Sequence, residues 1–144
     1  MKRVRDILAA KGYEIWSVSP STPVFDALAL MAEKRIGALL VLEAEKLVGL
    51  FSERDYARKI ILLGKSSKDT PVSEIMSSNL VCVEPAQLTA DCMRLMTNHR
   101  VRHLPVVSSG DLRGIITIGD VVKAIIAEKE HEIEQLQHYI TGTV

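Results

Sequence analysis

Apolar positions along the chain follow two periods. Val24, Leu28 and Met31 recur at three-to-four spacing, and Met93 and Met96 keep the same stripe further on, so each stretch predicts an amphipathic helix turned towards a core. Elsewhere apolar residues run almost unbroken, at 38–42 and 47–51 and again at 104–107 and 112–116. Such runs suit strands covered on both faces. A polar turn joins each pair, Glu43–Lys46 in one case and Ser108-Ser109-Gly110-Asp111 in the other. Short extended pieces, Trp16–Val18 and Leu80–Val83, precede the helices, and each runs into a proline that cannot continue a central strand. Thr22 is the expected N-cap of the first helix, with Pro23 at its first position. A second helix is expected to start near Asp55 and Asp120, three or four residues after the strand.

The two sets of elements are copies. A shift of 65 positions, without a gap, aligns Val18 with Val83, Pro20 with Pro85, Asp26 with Asp91, Met31 with Met96 and Arg35 with Arg100. The register continues through Leu39 and Leu104, Val41 and Val106, Gly49 and Gly114, and Asp55 and Asp120. Each copy reads strand–helix–strand–strand–helix, which predicts an α+β fold of two tandem modules.

The polar, turn-rich stretch 63–71 reads as the linker between copies. Val4–Leu8 and Val72–Met76 share a pattern, so each copy is expected to carry its own lead-in helix. The expected divisions are 1–66 for a lead-in helix and first module, 67–127 for the second module, and 128–144 for a helical extension. From Asp120 to Ile140 no glycine or proline interrupts the helical pattern, and Ile133, Leu136 and Ile140 have no counterpart in the first copy. A module of about 60 residues is marginal alone, so the two are expected to fold as one body.

Composition narrows the function classes. Lys+Arg and Asp+Glu number 18 each, so the net charge gives no ground for a nucleic-acid or anionic-membrane partner. No apolar run approaches the roughly 20 residues of a membrane span, and the basic N-terminus lacks the features of a secretory signal. Cys82 and Cys92 are expected as small buried apolar residues in a reducing cytoplasm. The four histidines show no metal-ligand spacing, and no nucleophile elbow, Walker loop or Rossmann fingerprint occurs. Neither a catalytic residue nor a metal site is expected.

The repeated segments Gly49-Leu50-Phe51-Ser52-Glu53-Arg54-Asp55 and Gly114-Ile115-Ile116-Thr117-Ile118-Gly119-Asp120, with Leu104-Pro105-Val106-Val107, resemble those of the CBS-domain family, named after cystathionine β-synthase. The resemblance runs from about Val4 to Ile126. It implies two modules packed as a pseudo-twofold pair, with an adenine nucleotide (AMP, ATP or NAD) held between the repeats. Read from the residues alone, Ser52 and Thr117 can cap a helix or meet a ligand. Asp55 and Asp120 are acceptors at a helix N-terminus, suited equally to capping and to the two hydroxyls of a ribose. The resemblance selects ribose.

It also places cations against phosphate just before the third strand of a module. Arg102 and His103 stand there in the second copy and, alternating along a strand, face opposite sides. The first copy has Gly37 and Ala38 instead, so Arg54 is the candidate phosphate partner and the two sites are unequal. Arg35 and Arg100 are expected late on their helices, as solvated residues or as charges facing the C-terminal dipole. Adenine walls are expected from Ser17, Val18, Ile36, Ala38 and Leu39, and from Val81, Cys82, Val101 and Leu104. The expected function is a stand-alone regulatory, non-enzymatic module, a homodimer that signals to an effector protein in trans. The competing readings are a structural assembly module with degenerate sites and a nucleic-acid-binding relative.

Overall fold

The computed structural model describes residues 1–141. Two compact units emerge, one made of Glu14–Leu80 and the other of Met1–Tyr13 with Val81 onwards. Each has its own apolar core.

In the unit of residues 14–80, β1 (Ser17–Val18) pairs in parallel with β2 (Ala38–Glu43), which runs antiparallel to β3 (Lys46–Ser52). Helix α2 (Val24–Lys34) turns Val24, Ala27 and Met31 inwards, where they meet Leu39, Val41 and Phe51. Helix α3 (Glu53–Tyr56) follows β3 directly and continues as a π-helical turn, Ala57–Ile61.

The other unit repeats this plan. Helix α4 (Thr89–His99) packs Cys92 and Met96 against Leu104 and Val106 of β4 (His103–Ser108) and Ile116 of β5 (Asp111–Thr117). Helix α5 (Ile118–Thr141) then runs for 24 residues without a break. Val41 faces Gly49 and Val106 faces Gly114, each followed by a bulge, so the 65-residue offset holds down to hydrogen-bond register. The first extended piece is weaker in this copy. Only Val83 bridges Val106, in parallel, and no strand forms over Leu80–Cys82.

Several expectations change. Pro23 with extended backbone, and not Thr22, is the N-cap of α2, while the Thr22 hydroxyl accepts from the Ser19 amide at 3.1 Å. Arg35 and Arg100 are exposed at the ends of their helices as expected, and they are the C-caps, in left-handed conformation at φ 56° and 54°, where a glycine would be the unstrained choice. The second helices start at once after the strands, so Asp55 and Asp120 fall at the third helical position. Cys92 is buried, but Cys82 is exposed.

The largest revision concerns the lead-in segments. Helix α1 (Val4–Lys11) packs with the second copy: the Val4 amide donates to Gln87 O at 2.9 Å and the Arg5 amide to Pro85 O at 3.0 Å. Val72 and Ser73 make the matching bonds to Thr22 and Pro20 of the first copy, at 2.8 and 2.9 Å. Thus 72–80, beginning with the 3-10 turn Val72–Glu74, closes the first copy, and α1 closes the second. The compact units do not divide at 66: residues 67–80 belong with the first copy and 1–13 with the second.

Two glycines explain the fit. A Cβ on Gly114 would lie 2.9 Å from Cδ2 of Leu8, and one on Gly49 would collide with Sδ of Met76. Leu8 and Met76 are therefore equivalent, each lying over the glycine of a strand.

Candidate functional site

Each strand-to-helix corner builds a carboxylate site. In the first, the Ser52 amide donates to Asp55 Oδ2 at 2.9 Å, and the Asp55 amide donates back to Ser52 Oγ at 3.3 Å. In the second, the Thr117 amide donates to Asp120 Oδ2 at 2.8 Å, and the Asp120 amide to Thr117 Oγ1 at 3.2 Å. These reciprocal bonds form a capping box, which satisfies orphan helix donors and fixes the carboxylate. Capping and a ligand role are thus compatible, because an ionised carboxyl has about four lone-pair sites and the cap uses few of them.

The corner is tied to the preceding strand in both copies. Glu53 donates its amide to Gly37 O at 3.1 Å, and Ile118 donates to Arg102 O at 2.9 Å. Ala38 pairs with Ser52, and His103 with Thr117. The fold thus brings His103, Thr117 and Asp120 together, as it does Ala38, Ser52 and Asp55. His103 and Ala38 open their strands, so residues 102–103 and 37–38 occupy equivalent places, one charged and one not. Arg102 and Arg54 are exposed, His103 is half-buried, and Leu39, Ala38 and Leu104 are buried in strand positions. Val18, Ile36 and Val81 are half-buried, while Ser17 and Cys82 are exposed.

Each carboxylate also has a lysine that the sequence reading did not include. Lys11, from α1, reaches Asp120 Oδ2 at 2.7 Å and donates to Ile115 O at 3.0 Å. Lys59 lies 3.4 Å from Asp55 Oδ1 and donates to Ile75 O at 3.0 Å. The four-residue spacing of Asp55 and Lys59 was a usable signal. Lys11 stands 109 residues from Asp120, and no local pattern could join them.

Electrostatics follow from this packing. Burial pushes the Asp120 carboxyl up, but the Lys11 ammonium and the Thr117 amide outweigh it and hold the group below its ordinary value. Burial lowers His103, as do Lys11 and Arg102, with Asp120 opposing. Burial, reinforced by Asp91, pushes the Cys92 thiol up to about 11, leaving it protonated and inert at neutral pH. Beside Asp120 a cavity of about 280 Å³ is lined by Lys2, Asp6, Ile7, Ala10, Lys11, Lys123 and Ala124. Among the described residues no cluster of His, Cys, Asp or Glu could hold a metal ion. No described helix is long and apolar enough to cross a membrane.

A repeated module with a hydroxyl and a carboxylate at its strand-to-helix corner defines a tandem-repeat class of α+β protein. The family model for the CBS domain matches residues 4–62 and 72–127. This chain belongs to the CBS-domain family. It is 38% identical over 149 residues to the CBS domain-containing protein CBSX3, mitochondrial, of Arabidopsis thaliana, covering 96% of this chain and 72% of that one. Among solved structures, a protein with CBS domains from Burkholderia ambifaria is 52% identical, with TM-score 0.86 over 88% of this chain and 95% of its own. The CBS domain pair of protein MJ0100, described in complex with 5′-methylthioadenosine and S-adenosyl-L-methionine, shares the fold at TM-score 0.76 and 21% identity, over 89% of this chain and 98% of its own.

Proposed function

We propose that this chain is a regulatory module, not an enzyme, that binds an adenosine-containing nucleotide and passes the ligand state to a protein in trans. The observation that carries the reading is the twice-built corner, with Ser52 and Asp55 in one unit and Thr117 and Asp120 in the other. A fixed carboxylate beside a hydroxyl is the acceptor set that two ribose hydroxyls need, as in other nucleotide-binding folds. Both ligands named for the MJ0100 pair contain adenosine and are of this chemical class.

In this reading Asp55 and Asp120 accept from ribose. Phosphate meets Arg102 or His103 in the second unit and Arg54 in the first. The strand residues Val18, Ile36, Ala38 and Val81, with Ser17 and Cys82, wall the base, and Leu39 and Leu104, expected there too, are fully buried in the two cores and back those walls from within. AMP, ATP and NAD are the candidate ligands. The two free thiols suit a reducing cytoplasmic compartment, and the chain self-associates in signalling.

A ligand that binds only the folded protein raises its melting temperature. A thermal-shift panel of AMP, ATP, NAD and S-adenosylmethionine, followed by calorimetry, tests the reading. We expect a shift with at least one ligand, lost in the Asp55→Asn/Asp120→Asn double variant. No shift and no heat with any of them, or undiminished affinity in the double variant, would overturn it.

A further inference from the structure

All side chains of α5 from Lys129 to Thr141 are exposed, although Ile133, Leu136, Tyr139 and Ile140 are among them, at 53, 60, 84 and 79%. Ile126, Ile133 and Ile140 stand seven residues apart, with Val122 and Leu136 each four residues before one of them. Isoleucine at a and valine or leucine at d of a seven-residue repeat make the seam of a two-stranded parallel coiled coil. The seam begins at Val122, 39% exposed, because the a position before it is Gly119. It lies about 100° round the helix from Val121 and about 160° from Ala124, the buried residues that anchor α5. A partner can therefore cover it without disturbing the core.

We propose that α5 pairs with α5 of a second copy of this chain, parallel and in register. Charge decides the orientation. Lys129 is the single charged residue on the seam, at a d position, and it reaches its own Glu132 at 3.5 Å. In a parallel pair a d residue adjoins the partner's e position, so Lys129 meets the second copy's Glu130. The two apposed ammoniums are then surrounded by four carboxylates, Glu130 and Glu132 of each chain. An antiparallel pair that packs Ile133 against Lys129 sets Glu130 against Glu130 and Glu132 against Glu132. Slid to pack Ile133 against Leu136, it sets Lys129 against Ile140, so the ammonium keeps its own Glu132 but gains no acidic side chain from the second copy. Only the parallel arrangement gives the lysine a carboxylate of the other chain and also separates the acids.

Sedimentation equilibrium over low- to high-micromolar concentration tests the pairing. Ile133→Asp and Leu136→Asp alter exposed positions, so circular dichroism should show an unchanged fold while the mass falls by half. Unchanged assembly in both variants, or a full-length chain that is monomeric throughout, would overturn the proposal. In a Cys82→Ser background, Leu136→Cys should form an interchain disulfide under mild oxidation, because parallel d residues face their own counterparts. Failure to cross-link would overturn the parallel register. None of these readouts involves a nucleotide, so they stand or fall apart from the ligand-binding function.

Discussion

Asp120 and His103 show how burial and a neighbouring lysine together set the charge of a site. The folded carboxyl titrates below its ordinary value, so the unfolded chain takes up that proton first. Its contribution to stability is present above the unfolded pKa, about 4, and is lost as pH falls through the folded value. His103 has the same sign. Its folded pKa is depressed, so the neutral ring is favoured in the fold, and its contribution shrinks as pH falls below about 6.5. Melting temperature should therefore decline from neutral pH into acid. His103→Gln should flatten the weakly acidic limb, and Asp120→Asn the limb below about pH 4. Scanning calorimetry across pH reads both, and a His103→Gln profile that overlays the parent would contradict the assignment.

Close packing of a terminal segment over a strand glycine recurs in both units. Leu8 fills the space above Gly114 as Met76 fills that above Gly49. Gly114→Ala pushes a methyl group into Leu8 and should cost about 1–3 kcal/mol, the usual range for overpacking. The distinguishing test is the pair. Leu8→Ala alone loses buried apolar surface, but in the Gly114→Ala background it makes room for the new methyl group. The double variant should be less destabilised than the sum of the singles in urea unfolding. Simple additivity would show that the contact is not decisive. The units differ in how a lysine reaches the carboxylate: Lys59 sits within the π-helical turn, whereas regular α5 has Ala124 at the equivalent place and Lys11 comes from α1.

At the scale of the molecule, chain order and packing order part company. The first eleven residues precede the first repeat yet complete the core of the second, burying Val4, Ile7 and Leu8 there. Each such side chain contributes about 1.5–3 kcal/mol on burial, against a total stability of about 5–15 kcal/mol for a typical domain. Deleting residues 1–12 should therefore destabilise the unit that begins again at Val81. Hydrogen exchange should quicken in β4, β5 and α5 while β2 and β3 keep their protection. Equal quickening in both units, or none, would contradict this partition. The same deletion removes Lys11, so it should also weaken any ligand held by Asp120.

The sequence by itself determined the repeat, the strand and helix order, the long C-terminal helix and the two corners. All of these are written locally: Gly49–Asp55 and Gly114–Asp120 carry strand, cap and carboxylate within seven residues. The apolar periods also placed Met31, Met96, Leu39 and Leu104 in cores, where the structure has them. Tertiary structure alone decided which core each terminal segment completes, because Val4–Leu8 and Val72–Met76 share one pattern and either could lie on either copy. It alone brought Lys11 to Asp120, since a salt bridge between distant residues leaves no periodic trace. It also decided burial at Cys82 and Cys92: two similar thiols differ because only one falls on the inner face of a helix, and β1-type pairing does not extend over Leu80–Cys82 in the second copy.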